Sequence, residues 1–246
     1  GLGMCIRDRL RPAGRCERKK KQIVMAIANG AFRTPPVVAN LLIINILVFL
    51  AEILLPGRIS NALLEFGALS FWKGGDFHIW QPLTYMFLHA NFGHIFFNMF
   101  ALWMFGRGLE YDLGSRRFLT YYIVCGIGAG LIQLGVNWIE YAAAAADPGV
   151  PPALLARYAH TYTIGASGAV FGLLLAFGLL HPNNVIMLVF PPIALKAKWF
   201  VVIYGVIELV AGISGRGGVA HFAHLGGMLF GWLLLWYWKK KGWIYY

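Results

Sequence analysis

Charge is what this sequence has least of. Only 13% of its 246 residues are charged, and only 10 are acidic, against about 25% charged residues in a typical soluble domain. A chain this poor in charge, 59% hydrophobic and with a mean hydropathy of +0.64, reads as one domain placed in a lipid bilayer. Cysteine is scarce too. Cys5, Cys16 and Cys125 form no CxxC or Cys/His spacing, which argues against disulfide stapling and against a zinc site. The shortage of acids leaves a formal net charge of +11, a value that suggests nucleic acid. The placement of the bases argues otherwise, because they gather at the termini and at the ends of apolar runs, as membrane orientation requires. No nucleic-acid partner is expected.

Long apolar runs are what the sequence has in place of charge. Six of them, over about 37–55, 91–106 (extending towards 113), 118–139, 163–180, 199–213 and 219–238, predict six membrane-crossing helices. The fold class expected is therefore an all-α polytopic membrane bundle over 37–240. A basic tail over 1–36, read as disordered, precedes it, and a short tail over 241–246 follows. The connection 57–90 is rich in Trp and Phe and broken by Gly and Pro, so it reads as a folded loop half-submerged at the interface. Residues 140–162, with the run Ala142 to Ala146 and several prolines, read as a loop of low complexity. Residues 185–195, broken by Pro191-Pro192, read as an interfacial loop. With six crossings, 17 of the 21 Lys and Arg fall on one side of the membrane and four, Arg58, Lys73, Arg157 and Arg216, on the other. The excess of bases on the inner side predicts that both termini are cytoplasmic.

This topology matches the depth of several polar residues. Ser167, in Gly165-Ala166-Ser167-Gly168, stands near the outer end of the fourth run. His224 stands about one turn into the sixth, and His94 and Asn98 lie in the first turns of the second. Polar side chains inside a membrane domain are costly and tend to be functional, although a serine beside glycine is more often a packing residue. A serine becomes a nucleophile only beside a base, and neutral imidazole can take its proton and return it to the leaving amine. His224 is preferred to His221 as that base. Gly227 and Gly231 follow it at the spacing that lets helices approach closely, and Gly168 and Gly172 match them on the serine's helix. No Asp or Glu is seen near the outer ends of the serine and histidine helices, so a Ser-His dyad is expected rather than a triad. His94 and Asn98, four apart on one face, are expected to stabilise an oxyanion together with the Ser167 amide. His89 is read as a brace, and His78, His160 and His181 receive no role.

Taken together, these residues resemble the rhomboid intramembrane serine proteases. Gly165-Ala166-Ser167-Gly168 resembles the family's GxSG, and Ala223-His224-Leu225-Gly226-Gly227 with Gly231 its AHxxGxxxG. His94 and Asn98 match HxxxN, and Gly106, Glu110 and Gly114 match a structural GxxxExxxG. The resemblance implies an endopeptidase that cleaves single-span membrane proteins near their outer ends through an acyl-enzyme, without cofactor or metal. It also implies entry past the fifth helix and a cap near 213–218. Two positions depart from the family. Trp80-Gln81 stands where Trp-Arg is usual, and Phe171 stands where the aromatic stacked on the histidine is often Tyr.

A non-cutting rhomboid-like pseudoprotease is the alternative, against which the retention of both Ser167 and His224 argues. A transporter is less well supported, because no repeat relates the two halves. The location expected is a bacterial cytoplasmic membrane, with the site opening outward. Oligomeric state is not legible.

Overall fold

The computed structural model describes residues 34–187, 192–214 and 220–244. Most of the basic tail lies outside them, as do four of the six residues of the expected cap, 215–218. The described chain is mostly helical.

Helix α1 (Pro36–Leu54) starts with proline in its first turn, where the missing N–H costs nothing, and stops just before Pro56. Its orphan amides find a distant partner. Glu110 accepts the backbone N–H of Val37 (3.1 Å) and of Val38 (2.8 Å), together with the Ser115 hydroxyl (2.6 Å). A carboxylate at a helix N-terminus satisfies donors and complements the dipole at once, which accounts for a buried acid in so apolar a chain.

The connection read as a loop over 57–90 contains regular structure. Helix α2 (Gly57–Gly67) is followed by β1 (Leu69–Ser70) and a single 3-10 turn, then by the short helix α3 (Gln81–Thr84). Gln81 is fully buried. Its Oε1 accepts from Ser70 N (3.2 Å) and His78 N (3.1 Å), and its Nε2 donates to Glu65 O (3.3 Å) and Asp76 O (3.0 Å). Four bonds from one neutral amide pin this connection. Trp80 stacks on Phe66 and on His78 beside it.

Helix α4 (Phe92–Leu113) is capped by Asn91, whose side chain accepts from His94 N at 2.9 Å, as expected of Asn at that position. Gly114, at φ 77°, ends it, and α5 (Ser115–Ala146) starts at once. The expected loop at the alanine run is corrected here. Ala142 to Ala146 extend α5 to 32 residues, because alanine has the highest helix propensity of any residue. Helix α6 (Pro152–Ala159) and β2 (Tyr162–Thr163) occupy most of the remaining stretch. β2 pairs antiparallel with β1, Leu69 opposite Thr163.

Helix α7 (Ser167–Leu180) carries the serine at its first residue. The expected interfacial loop that follows also has structure at its ends. Strands β3 (Val185–Met187) and β4 (Ala194–Lys196) pair antiparallel. Helices α8 (Ala197–Ile213) and α9 (His221–Lys240) complete the described chain.

Helix α9 packs chiefly on α5 and α7, and α7 packs on α5. Glycine makes these approaches possible. A Cβ on Gly227 would strike the Gly168 carbonyl, and one on Gly168 would strike the Ala129 side chain. Tyr121, wholly buried, donates its hydroxyl to Gly172 O (2.8 Å) across the α5–α7 seam. Among the described helices, α1 and α5 are long and apolar enough to cross a membrane, and α7 is a shorter apolar helix. The outward side of α8 is aliphatic, with Val202, Ile203, Val206, Ile207, Val210 and Ile213 exposed.

Candidate active site

The segment leading to Ser167 is fixed before the helix begins. Gly165 N donates to Tyr85 O (2.9 Å) and Phe71 N to Thr161 O (3.0 Å), while the Tyr85 hydroxyl donates to Gly126 O (2.7 Å). Gly165 adopts φ 124°, a conformation that favours glycine. A Cβ there would also lie 2.7 Å from the His94 ring. Ser167 then stands at the head of α7, where the first backbone amides have no partner within the helix and the dipole favours negative charge.

The expected pair is brought together. Ser167 Oγ lies 2.8 Å from His224 Nε2 across the α7–α9 contact. Phe171 lies flat against the same imidazole, with centroids 4.2 Å apart and planes 5° from parallel. The gap between helices is set by Gly168 against Gly227, and Gly231 accommodates the Tyr121 hydroxyl. A hydroxyl hydrogen-bonded to a neutral imidazole can pass its proton to that ring.

His94 abuts the turn before the serine, and its own bonding sets its tautomer. Ala90 N donates to His94 Nδ1 (3.3 Å), so in the neutral ring Nε2 carries the proton. That nitrogen is one of the two ring atoms that a Cβ on Gly165 would meet, so it lies against the turn before Ser167. Asn98 is buried one turn deeper and donates Nδ2 to His94 O (2.9 Å). An amide nitrogen has a second hydrogen to give. His89 is buried with its ring edge-on to His94, centroids 5.0 Å apart. Its backbone N–H donates to Glu52 of α1 (3.3 Å).

One acidic residue escaped the sequence reading. Glu208 of α8 places Oε2 2.7 Å from His221 Nδ1 and 2.9 Å from His224 Nδ1. The His221 contact is a formed hydrogen bond. At His224 the oxygen stands at ion-pair distance but off the direction that a formed bond requires. The expectation that no acid lies near the base is therefore corrected. The signal was available, since α8 runs towards the end of the bundle at which α9 begins and Glu208 is five residues from its last residue. Glu208, His221 and His224 also form, among the described residues, a group whose donor atoms lie within 4.8 Å of one another, close enough to hold a metal ion. Two of the remaining histidines pair elsewhere, His181 with Asp112 (2.6 Å) and His160 with Asp76 (3.5 Å), and His78 stacks on Trp80.

With the site assembled, comparison with known proteins is informative. The Rhomboid domain family model matches residues 76–241. Rhomboid protein 1, mitochondrial, of Saccharomyces cerevisiae is 36% identical over 155 residues, which cover 63% of this chain and 40% of that protein. Rhomboid protease AarA of Providencia stuartii is 31% identical over 202 residues, covering 79% of this chain and 69% of that protein. Rhomboid-like protein 11, chloroplastic, of Arabidopsis thaliana is 29% identical over 221 residues, covering 87% and 66%. The chain therefore spans well under half of the yeast relative's length and about two thirds of the other two. A family model that matches most of the chain, and a relative matched over most of both lengths, lead to one conclusion: this chain belongs to the rhomboid family.

Proposed function

We propose that this protein is an intramembrane serine endopeptidase that cleaves membrane-spanning segments of other proteins near their outer ends. The observation that carries the reading is the 2.8 Å contact between Ser167 Oγ and His224 Nε2 at the head of α7. Attack of Oγ on the scissile carbonyl carbon transfers the hydroxyl proton to His224 Nε2. The tetrahedral oxyanion is held by the Ser167 amide, His94 Nε2–H and the Asn98 amide. His224 then returns the proton to the leaving amine as the C–N bond breaks, leaving an acyl-enzyme on Ser167. A water molecule activated by the same imidazole hydrolyses the ester and releases the acid product. An oxyanion donor of this kind lowers the barrier by about 2.7–4 kcal/mol. The relative from Providencia stuartii is described as a protease, in agreement with this chemistry.

In this reading the bundle crosses the membrane six times, as α1, α4, α5, α7, α8 and α9, with both termini on the cytoplasmic side. The apolar length of α1 and α5, the aliphatic exterior of α8 and the sidedness of Lys and Arg support it. Substrates are single-span segments that share the bilayer with the enzyme. Relatives are named as mitochondrial and chloroplastic, so the location proposed is an integral membrane one without further restriction.

The test is cleavage of a single-span reporter by the purified chain in vesicles, with Ser167→Ala and His224→Ala alongside. Cleavage by wild type alone is expected. Cleavage that persists in Ser167→Ala would sink the mechanism, and failure of all three in several lipids would favour a binding protein that does not cut.

A further inference from the structure

We propose that Glu208 is a positioning residue for the base, holding His224 in the tautomer that leaves Nε2 open to the serine proton and standing beside the imidazolium once that proton has moved. The proposal rests on the protease reading above.

Glu208 is out of place by composition. The exposed side of α8 around it is Val206, Ile207, Leu209 and Val210, and its own side chain is only 9% exposed. A buried carboxylate is costly unless paired, the effective penalty being several kcal/mol per ion. Here the pairing is specific. Oε2 is hydrogen-bonded to His221 Nδ1 at 2.7 Å and lies 2.9 Å from His224 Nδ1, while the opposite nitrogen of His224 meets Ser167 Oγ at 2.8 Å. Carboxylate, imidazole and hydroxyl thus stand in sequence, the order in which a third group orients the base of an activated serine.

A neutral imidazole carries one proton, and a carboxylate beside Nδ1 favours it there, which leaves the Nε2 lone pair facing the hydroxyl. In the resting protein the carboxylate acts on His224 through its field, because it stands off the N–H line. When Ser167 attacks, the proton passes from Oγ to Nε2, and the imidazolium and Glu208 become an ion pair in a water-poor site, where charges interact more strongly than in water. Glu208 keeps its charge throughout. The groups around the His224 ring divide the work: Phe171 covers one face, His221 secures the carboxylate, and His94 and Tyr204 are further ionisable groups nearby.

The experiment uses the full chain in vesicles with two readouts: steady-state cleavage of the single-span reporter, and labelling of Ser167 by a fluorophosphonate, which reports nucleophile activation without a peptide. Glu208→Gln keeps shape and removes charge. It should lower kcat between about tenfold and 10⁴-fold, the upper end being the loss when an amide replaces the acid of a serine triad and the imidazole takes the wrong tautomer. KM should stay within about threefold of wild type, labelling should slow in parallel, and Glu208→Asp should recover part of the loss. His221→Asn, acting through Glu208, should lose less than Glu208→Gln. If Glu208→Gln is not recovered as folded protein, Glu208→Asp carries the test through the same split between kcat and KM. Wild-type kcat and labelling in Glu208→Gln would overturn the proposal alone. So would equal losses in Gln and Asp variants that track a fall in melting temperature. Wild type that neither cleaves nor labels would overturn the protease reading, and this proposal with it.

Discussion

Phe171 lies on His224 as one plane on another, 4.2 Å between centroids and 5° from parallel. The stack fixes the rotation of the imidazole about its own axis, on which the direction of Nε2 towards Ser167 depends. An aromatic contact of this kind is worth about 0.5–1.5 kcal/mol beyond its area. Phe171→Leu, which keeps bulk and loses the plane, should therefore slow reporter cleavage about 2- to 12-fold, whereas Phe171→Tyr should cleave at close to the wild-type rate. A drop in Phe171→Tyr as large as in Phe171→Leu would contradict this account of the ring.

Gly227 should tolerate no side chain. A methyl there would meet backbone, the Gly168 carbonyl, which cannot rotate away. Gly227→Ala should cost about 1–3 kcal/mol or more by overpacking and abolish cleavage, because the same contact sets the distance from Ser167 to His224. Gly135 on α5 is the control, with open space where its Cβ would be. Gly135→Ala should gain about 0.5–1 kcal/mol from reduced backbone freedom in the unfolded chain. Melting in detergent measures both.

The two histidines of α9 should separate under substitution. His224→Ala removes the proposed proton acceptor. His221→Ala removes only the partner that secures Glu208, so it should retain far more cleavage. Equal loss would mean that the base has been assigned to the wrong residue.

Gln81 should prove structural. Gln81→Ala would leave two part-buried amides and two carbonyls short of a partner, at about 1–3 kcal/mol for each group that water cannot reach. A melting temperature within a degree of wild type would show that water replaces the amide.

Acid should weaken the fold through His89, which lies in the turn before α4. Burial pushes its imidazole down to about 4, with His94 adding repulsion and the Phe87 carbonyl offsetting only part of this. The unfolded chain takes up a proton near 6.5 and the folded chain does not, so the stabilising difference is fully present above pH 6.5. It is lost as pH falls from 6.5 towards 4, by up to about 3 kcal/mol. Unfolding measured from pH 7.5 to 4.5 should show this slope, and His89→Leu should flatten it.

The sequence was most legible where chemistry repeats a local pattern. Asn91 as a cap, and Ser167 and His224 beside paired glycines, each follow from neighbours a few residues away. It was least legible where a lone residue takes its meaning from another helix. Glu208 sits in an aliphatic stretch whose local pattern says only that it is an interruption, and its two imidazole partners arrive from α9. Gln81 stands out in the sequence only as a departure from Trp-Arg, because the four backbone groups that it serves come from three separate segments. The alanine run misleads for the opposite reason: its low complexity suggests a loop, whereas its helix propensity decides the structure.

The distance along the chain between Ser167 and His224, 57 residues, also has a consequence during synthesis. A ribosome that has added the serine needs roughly 3–11 s, at 5–20 residues per second, before the histidine exists. α7 and the turn that presents Ser167 can form within that interval, but no base is present to take the proton. On the proposed mechanism the nascent protein therefore enters a bilayer full of other spanning segments as an inert bundle, and it acquires its reactivity only when its last described helix has packed into place.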